Sequence, residues 1–114
     1  MSRPTVAYVD LESIRHNVRA LGRHVEGTKM MCMVKADAYG HGAVQVARTL
    51  QDLGADYLAV SSIDEAMELR ANGVSMPVLI LGHTPKEQVG RLIEHHITQA
   101  VTCKAKALEY SHEA

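Results

Sequence analysis

The 114-residue chain contains no phenylalanine, no tryptophan and only four tyrosines, so a core must be assembled from Ala, Val, Leu, Ile and Met. Such small and branched side chains suit close packing of helices on strands. An excess of one charge is also missing. Twelve Lys+Arg face 13 Asp+Glu, a formal net charge of -1, without the clustered positive charge that nucleic acid or an anionic membrane surface requires. No apolar run approaches the roughly 18 residues needed to span a bilayer. The opening Met1-Ser2-Arg3-Pro4-Thr5 lacks the apolar stretch of a secretory signal, so the expected location is the cytoplasm. The two cysteines, Cys32 and Cys103, form no CxxC pair and have no histidine at ligand spacing, which excludes a disulfide scaffold or a zinc site. Both lie in apolar runs and are expected to be small buried hydrophobes.

What is present is 46% hydrophobic residues, enough for one globular domain or part of one. Strands and helices alternate along it. A short extended stretch, Val6 to Val9, precedes Asp10, a plausible N-cap for a helix with Leu11, Ile14, Val18 and Leu21 on one face and Gly22 at its end. Met30 to Val34 is a short apolar run expected to be a strand buried on both faces. Ala43, Val46, Ala47, Leu50 and Leu53 then recur at helical spacing up to Gly54, and a second buried strand is expected at Tyr57 to Val60. Ser62 and Glu65 make a capping box for a helix carrying Ile63, Ala66, Met67 and Leu69, which stops at Asn72-Gly73. The charged residues from Asp64 to Arg70 read as its solvated face.

Pro77 leads into a third strand, Val78 to Leu81. Thr84-Pro85-Lys86-Glu87 places a cap, an N1 proline and an N3 glutamate in register before a helix with Val89, Leu92, Ile93 and His96 on one face. A fourth strand near Gln99 to Thr102 and a helix from Lys104 to His112 complete the pattern. This is parallel α/β structure, and both a barrel and an open doubly wound sheet fit it. Four strands amount to half of a (β/α)8 barrel, which takes about 250 residues. No GxGxxG follows a strand and no GxxxxGK[ST] occurs, so the phosphate-binding turns of dinucleotide and P-loop folds are lacking.

The chemically suggestive segment is Val34-Lys35-Ala36-Asp37-Ala38-Tyr39-Gly40-His41-Gly42, at the hand-over from the first buried strand to its helix. Active sites of parallel α/β folds assemble at such carboxyl ends. A lysine there either snorkels into water or stays partly out of it, where a neutral amine able to form a Schiff base is favoured. Gly40 and Gly42 permit close backbone approach, and Tyr39 offers a ring and a hydroxyl. His41 suits a hydrogen bond at a helix start, and His83 could border the cleft. His95 and His96 diverge by about 100° on a helix and do not chelate one ion, so no metal is expected.

These nine residues closely resemble the pyridoxal-phosphate lysine motif of bacterial alanine racemases. Val9-Asp10-Leu11, Ile14-Arg15-His16-Asn17 and Leu79-Ile80-Leu81-Gly82 are similar to further segments of that family. The resemblance runs over essentially the whole chain but over only about the first third of the family's length. It implies a partial (β/α)8 TIM-type barrel of about four βα units, with residues 1–27 as a lead-in strand and helix and 28–114 as the first half of the barrel.

By the same resemblance, Lys35 holds pyridoxal 5'-phosphate as a Schiff base, is released by the incoming amino acid and exchanges a proton with one face of its Cα. Tyr39 reaches the cofactor phosphate, and Leu81 lies beside the pyridine ring. The implied activity is interconversion of L- and D-alanine for peptidoglycan, by a homodimer. The family's opposing base, a tyrosine of a C-terminal β-domain in the partner subunit, has no counterpart here, nor do the later segments that hold the phosphate and the pyridine nitrogen. Neither Tyr57 nor Tyr110 replaces that base. The chain alone is expected to be incomplete for catalysis. Alternatives are a racemase of another small amino acid such as serine, or a non-catalytic pyridoxal-phosphate-binding half-barrel.

Overall fold

A computed structural model describes residues 3–114. Four parallel strands, β1 (Met31–Met33), β2 (Tyr57–Val60), β3 (Val78–Ile80) and β4 (Ile97–Gln99), pair in chain order. Helices α3 (Ala43–Asp52), α4 (Ile63–Ala71) and α5 (Val89–Glu94) make the crossovers. Helix α1 (Leu11–His24) precedes the sheet and α6 (Lys104–Glu113) follows it. The expected barrel order is therefore present for four βα units. The molecule is a slab of 48 × 47 × 23 Å with a radius of gyration of 16.1 Å, against about 13 Å for a compact chain of this length.

The register explains the slab. Cys32, Leu58, Val78 and Ile97 lie side by side across the four strands, and Met33, Ala59, Leu79 and Thr98 form the next row. Side chains alternate between faces along a strand, so the first row points to one face and the second to the other. The face bearing Leu58, Val60, Val78 and Ile80 is sealed by Val46, Ala47 and Leu50 of α3 and by Ile63, Ala66 and Leu69 of α4. Ile14 and Val18 of α1 pack against the same cluster. The opposite face stays open. Strand β1 is accordingly not buried on both faces as its apolar run suggested, because Met31 and Met33 are 50% and 38% exposed.

Other boundaries differ for local reasons. Val6 to Val9 join no ladder, and α1 runs past Gly22 to His24. Asp10 does cap it, accepting hydrogen bonds from the N–H of Glu12 at 2.9 Å and of Ser13 at 3.4 Å. Thr84 caps no helix. It is fully buried, its hydroxyl bonds to the Gln99 side chain, and its carbonyl accepts from Tyr110 Oη at 2.7 Å. His96 lies off the α5 face: with φ of 53° it turns the chain at once into β4, which starts two residues earlier than expected. Cys103 is exposed at the start of α6, whereas Cys32 is half-buried. Arg70 does not belong to a solvated face. Its guanidinium donates to the carbonyls of Val74, Met76, His95 and His96, tying together the chain segments that enter β3 and β4.

Candidate active site at the carboxyl ends of the strands

Lys35 stands two residues beyond Met33, after Val34, whose N–H still donates to the Ala59 carbonyl of β2 at 2.9 Å. The next turn, α2 (Lys35–Tyr39), is wound left-handed. Ala36, Asp37 and Ala38 have φ/ψ of 52/47°, 56/42° and 53/44°, and Tyr39 has φ of 56°. Each such non-glycine residue costs roughly 1–2 kcal/mol, so the turn persists only because its surroundings over-determine it.

Those surroundings are specific. Ala38 N–H donates to the Val34 carbonyl at 3.0 Å, His41 N–H to Ala38 at 3.1 Å and Gly42 N–H to Asp37 at 3.0 Å. Gly40 ends the turn at φ of 89°, a conformation glycine adopts without penalty. The His41 ring Nδ1 lies 3.1 Å from the Ala38 carbonyl, the local hydrogen bond anticipated for it. Asp37 Oδ1 accepts from Ala43 N–H at 2.8 Å and so caps α3, whose own N-cap residue, Gly42, has no side chain to do so.

A second anchor crosses between strands. Glu65 Oε2 accepts from Ala36 N–H at 2.8 Å, while Oε1 accepts from the Ser61 N–H at 2.7 Å and from the Ser61 hydroxyl. Partial burial pushes the Glu65 carboxyl up, but the hydrogen bonds from the Ser61 side chain and from the N–H groups of Ser61, Ala36 and Ser62 outweigh it and hold its pKa below the ordinary value. The expected capping box is thus half formed. Ser62 Oγ accepts from Glu65 N–H at 3.3 Å, whereas the carboxylate reaches mainly to Ser61 and across to the turn beyond β1. Gly82, just past β3, packs so closely on the same corner that a Cβ would lie 2.3 Å from the Ser61 carbonyl oxygen.

Of the other site residues read from the sequence, Tyr39 projects from the left-handed turn and is 61% exposed. Leu81 follows β3, is 39% exposed, and donates its N–H to the Val60 carbonyl at 2.9 Å. By register parity Leu81 continues the open-face row of Leu79. It lines a cavity of about 290 Å³ together with His83, Gln99, Lys106 and Tyr110, and Lys35 is not part of that lining. Lys35, Tyr39 and Leu81 thus share the carboxyl rim without converging on one enclosed cavity. Sequence reasoning gives Glu65, Asp37 and Gly82 no part in the site. Asp37 lay inside the nine-residue segment, and its capping of α3 was detectable from the missing cap at Gly42.

The arrangement offers one primary amine at a strand end, a phenolic hydroxyl, an exposed apolar side chain and a rigid backbone corner beneath them. Known proteins are similar to this chain in sequence and in fold. Residues 9–114 match the family described as alanine racemase, N-terminal domain. Alanine racemase 2 of Caldanaerobacter subterraneus subsp. tengcongensis is 52% identical over 97 residues, covering 84% of this chain and 25% of that protein. The alanine racemase structure from E. faecalis superposes with a TM-score of 0.90 at 35% identity, over 97% of this chain and 30% of its own. A histidine racemase from Leuconostoc mesenteroides subsp. sake superposes with a TM-score of 0.84 at 25% identity, over 92% and 28% of the two chains. The chain therefore spans about a quarter of the length of the relatives it matches. With the family's match running from Val9 to the last residue, the chain belongs to the alanine racemase N-terminal domain family.

Proposed function

We propose that this chain is the N-terminal part of a pyridoxal-phosphate-dependent amino-acid racemase, an isomerase that in its complete form interconverts L- and D-alanine. The observation that carries the reading is Lys35, an amine at the carboxyl end of β1 anchored by a strained turn, in a chain of this family. In the same reading, residues 1–27 lead into the barrel and 28–114 form its first half. Further elements would close the barrel, hold the cofactor phosphate and bring a second base from the partner subunit of a homodimer. Supply of D-alanine for peptidoglycan in the cytoplasm follows from that activity. No helix among the described residues is long and apolar enough to cross a membrane.

The residues present fit the cofactor. Lys35 provides the primary amine that would hold its carbonyl carbon, Tyr39 an exposed hydroxyl that can donate to a phosphate oxygen, and Leu81 an apolar surface for the ring. Pyridoxal phosphate, when bound, supplies the electron sink that makes the Cα proton of an amino acid removable. The protein's own part is position. Lys35 Nζ, once free of the cofactor, takes the proton from one face of Cα or returns it there. A racemase of another amino acid is the second reading, supported by the similarity to a histidine racemase on the same fold.

Incubation with pyridoxal phosphate, reduction with borohydride and peptide mapping tests the assignment. Label concentrated on Lys35 is expected, and label spread evenly over Lys29, Lys35, Lys86, Lys104 and Lys106 would overturn it. The 114-residue chain alone is expected not to racemise alanine at a useful rate. Robust L-to-D conversion abolished by Lys35→Ala would refute the need for further elements, and a panel including serine and histidine decides the substrate.

A further inference from the structure

We propose that Glu65 is a positioning residue for Lys35, its carboxylate tying the peptide group that follows Lys35 to the end of the neighbouring strand. The proposal rests on the reading that Lys35 holds pyridoxal phosphate, and it adds a residue on a different element with a separate task. The two carboxylate oxygens divide their work: Oε2 takes the Ala36 N–H at 2.8 Å, and Oε1 takes the Ser61 N–H at 2.7 Å together with the Ser61 hydroxyl. Ala36 N–H lies in the same rigid peptide plane as the Lys35 carbonyl. Fixing that plane sets ψ of Lys35 and φ of Ala36, which at 52° is the first of five consecutive positive values, from Ala36 to Gly40. Glu65 therefore holds the backbone where the chain changes hand, and with it the direction in which the Lys35 side chain leaves β1.

The chemistry of the anchor requires a carboxylate. A carboxylate presents acceptors on both oxygens, whereas a glutamine presents one oxygen and an NH2 group that would face an N–H donor. Glu65→Gln consequently leaves either Ala36 or Ser61 without an acceptor while changing almost no volume. Glu68 lines the same small cavity as Glu65, and its side chain holds neither strand end. It is the natural control.

The test follows borohydride trapping of pyridoxal phosphate at Lys35 as a function of cofactor concentration in the 114-residue chain, separating the limiting rate from the half-saturating concentration. In Glu65→Gln the limiting rate at Lys35 is expected to fall on the order of tenfold, as a misaimed reacting group should. The half-saturating concentration and the labelling of Lys29, Lys86, Lys104 and Lys106 stay within about twofold, since those depend on binding and exposure rather than aim. Glu68→Gln keeps the wild-type rate. Equal Lys35 rates in wild type and Glu65→Gln overturn the role of Glu65 alone, and absence of Lys35 label in the wild type overturns the cofactor reading with it. Should Glu65→Gln fail to fold, hydrogen exchange on the wild type decides. A protected Ala36 amide is expected, and exchange at the rate of a free amide refutes the anchor.

Discussion

The two faces of the sheet are built from the same four strands and share almost nothing else. On the helix-covered face Leu58, Val60, Val78 and Ile80 are fully buried and belong to one continuous core. On the other, Met31 and Met33 are exposed, Tyr57 Oη meets Thr98 Oγ1 at 2.6 Å, and Ala59 is buried without joining the core cluster. Ala59 pairs with Met33 on one side and Leu79 on the other, whose larger side chains flank it. The first face carries the stability of these residues. The second is the face onto which Leu81 continues past β3, at the same carboxyl rim where Lys35 stands beyond β1.

The sharpest way to break that contrast is a pair of truncations. Leu58→Ala removes a side chain from the sealed face and is expected to cost about 2–5 kcal/mol, with Met33→Ala costing less than about 1 kcal/mol. Urea titration followed by far-ultraviolet circular dichroism measures both. Equal losses would mean that the open face is packed in solution and that the slab is the wrong picture.

Gly82→Ala tests the rim where the faces end. Its Cβ would meet the Ser61 carbonyl oxygen at 2.3 Å, and because that neighbour is backbone, strand ends must part. A loss of about 1–3 kcal/mol is expected, whereas Gly90→Ala, inside α5 with open space around its Cβ, is expected to gain up to about 1 kcal/mol. Comparable midpoints for the two variants would dispose of the close approach.

Most of the covered face was legible in the sequence, and the reason is periodic. Ala43, Val46, Ala47 and Leu50 repeat at helical spacing because one continuous surface buries them, so the pattern and the packing report the same thing. The run from Met30 to Val34 misled for the complementary reason. Apolar character on both faces of a strand says what could be covered, not what is. The candidate site divided in the same way. Lys35 was found because a long contiguous segment surrounds it, while Glu65 was read only as a local cap. Its longer reach to Ala36 spans 29 residues, and no local pattern encodes which strand end will lie beside a helix start. The left-handed turn was equally hidden, since Ala36, Asp37 and Ala38 are held there against their own preference.

Acid probes the same rim with a smaller effect. The folded pKa of Glu65 lies below its ordinary value of 4.5, so its contribution is complete above that value and disappears as pH falls through the folded pKa. The wild type should therefore lose part of its stability below about pH 4.5 that Glu65→Gln has already lost, and the two stability curves should converge in acid. Denaturation at a series of pH values checks this. Parallel curves down to the lowest pH would show that the carboxylate contributes nothing at the strand ends.

The smallest perturbation resolves the two faces within three consecutive residues. Met31 and Met33 point to the open side and Cys32 to the helix side, where burial, and secondarily the negative charge of Asp56, raise its thiol pKa. A raised pKa lowers the thiolate fraction, and the thiolate is the reactive form. Brief peroxide treatment should therefore oxidise Met31 and Met33 well before the buried Met76. Iodoacetamide should modify the exposed Cys103 before Cys32. Mass mapping reads all five positions from one digest. Oxidation at 31 and 33 faster than at Met76, with alkylation at 32 slower than at Cys103, would place the division between covered core and open face in the pleat of β1 itself. Alkylation of Cys32 as fast as that of Cys103 would mean that the strand is frayed and that Lys35, two residues beyond Met33, has no fixed base from which to act.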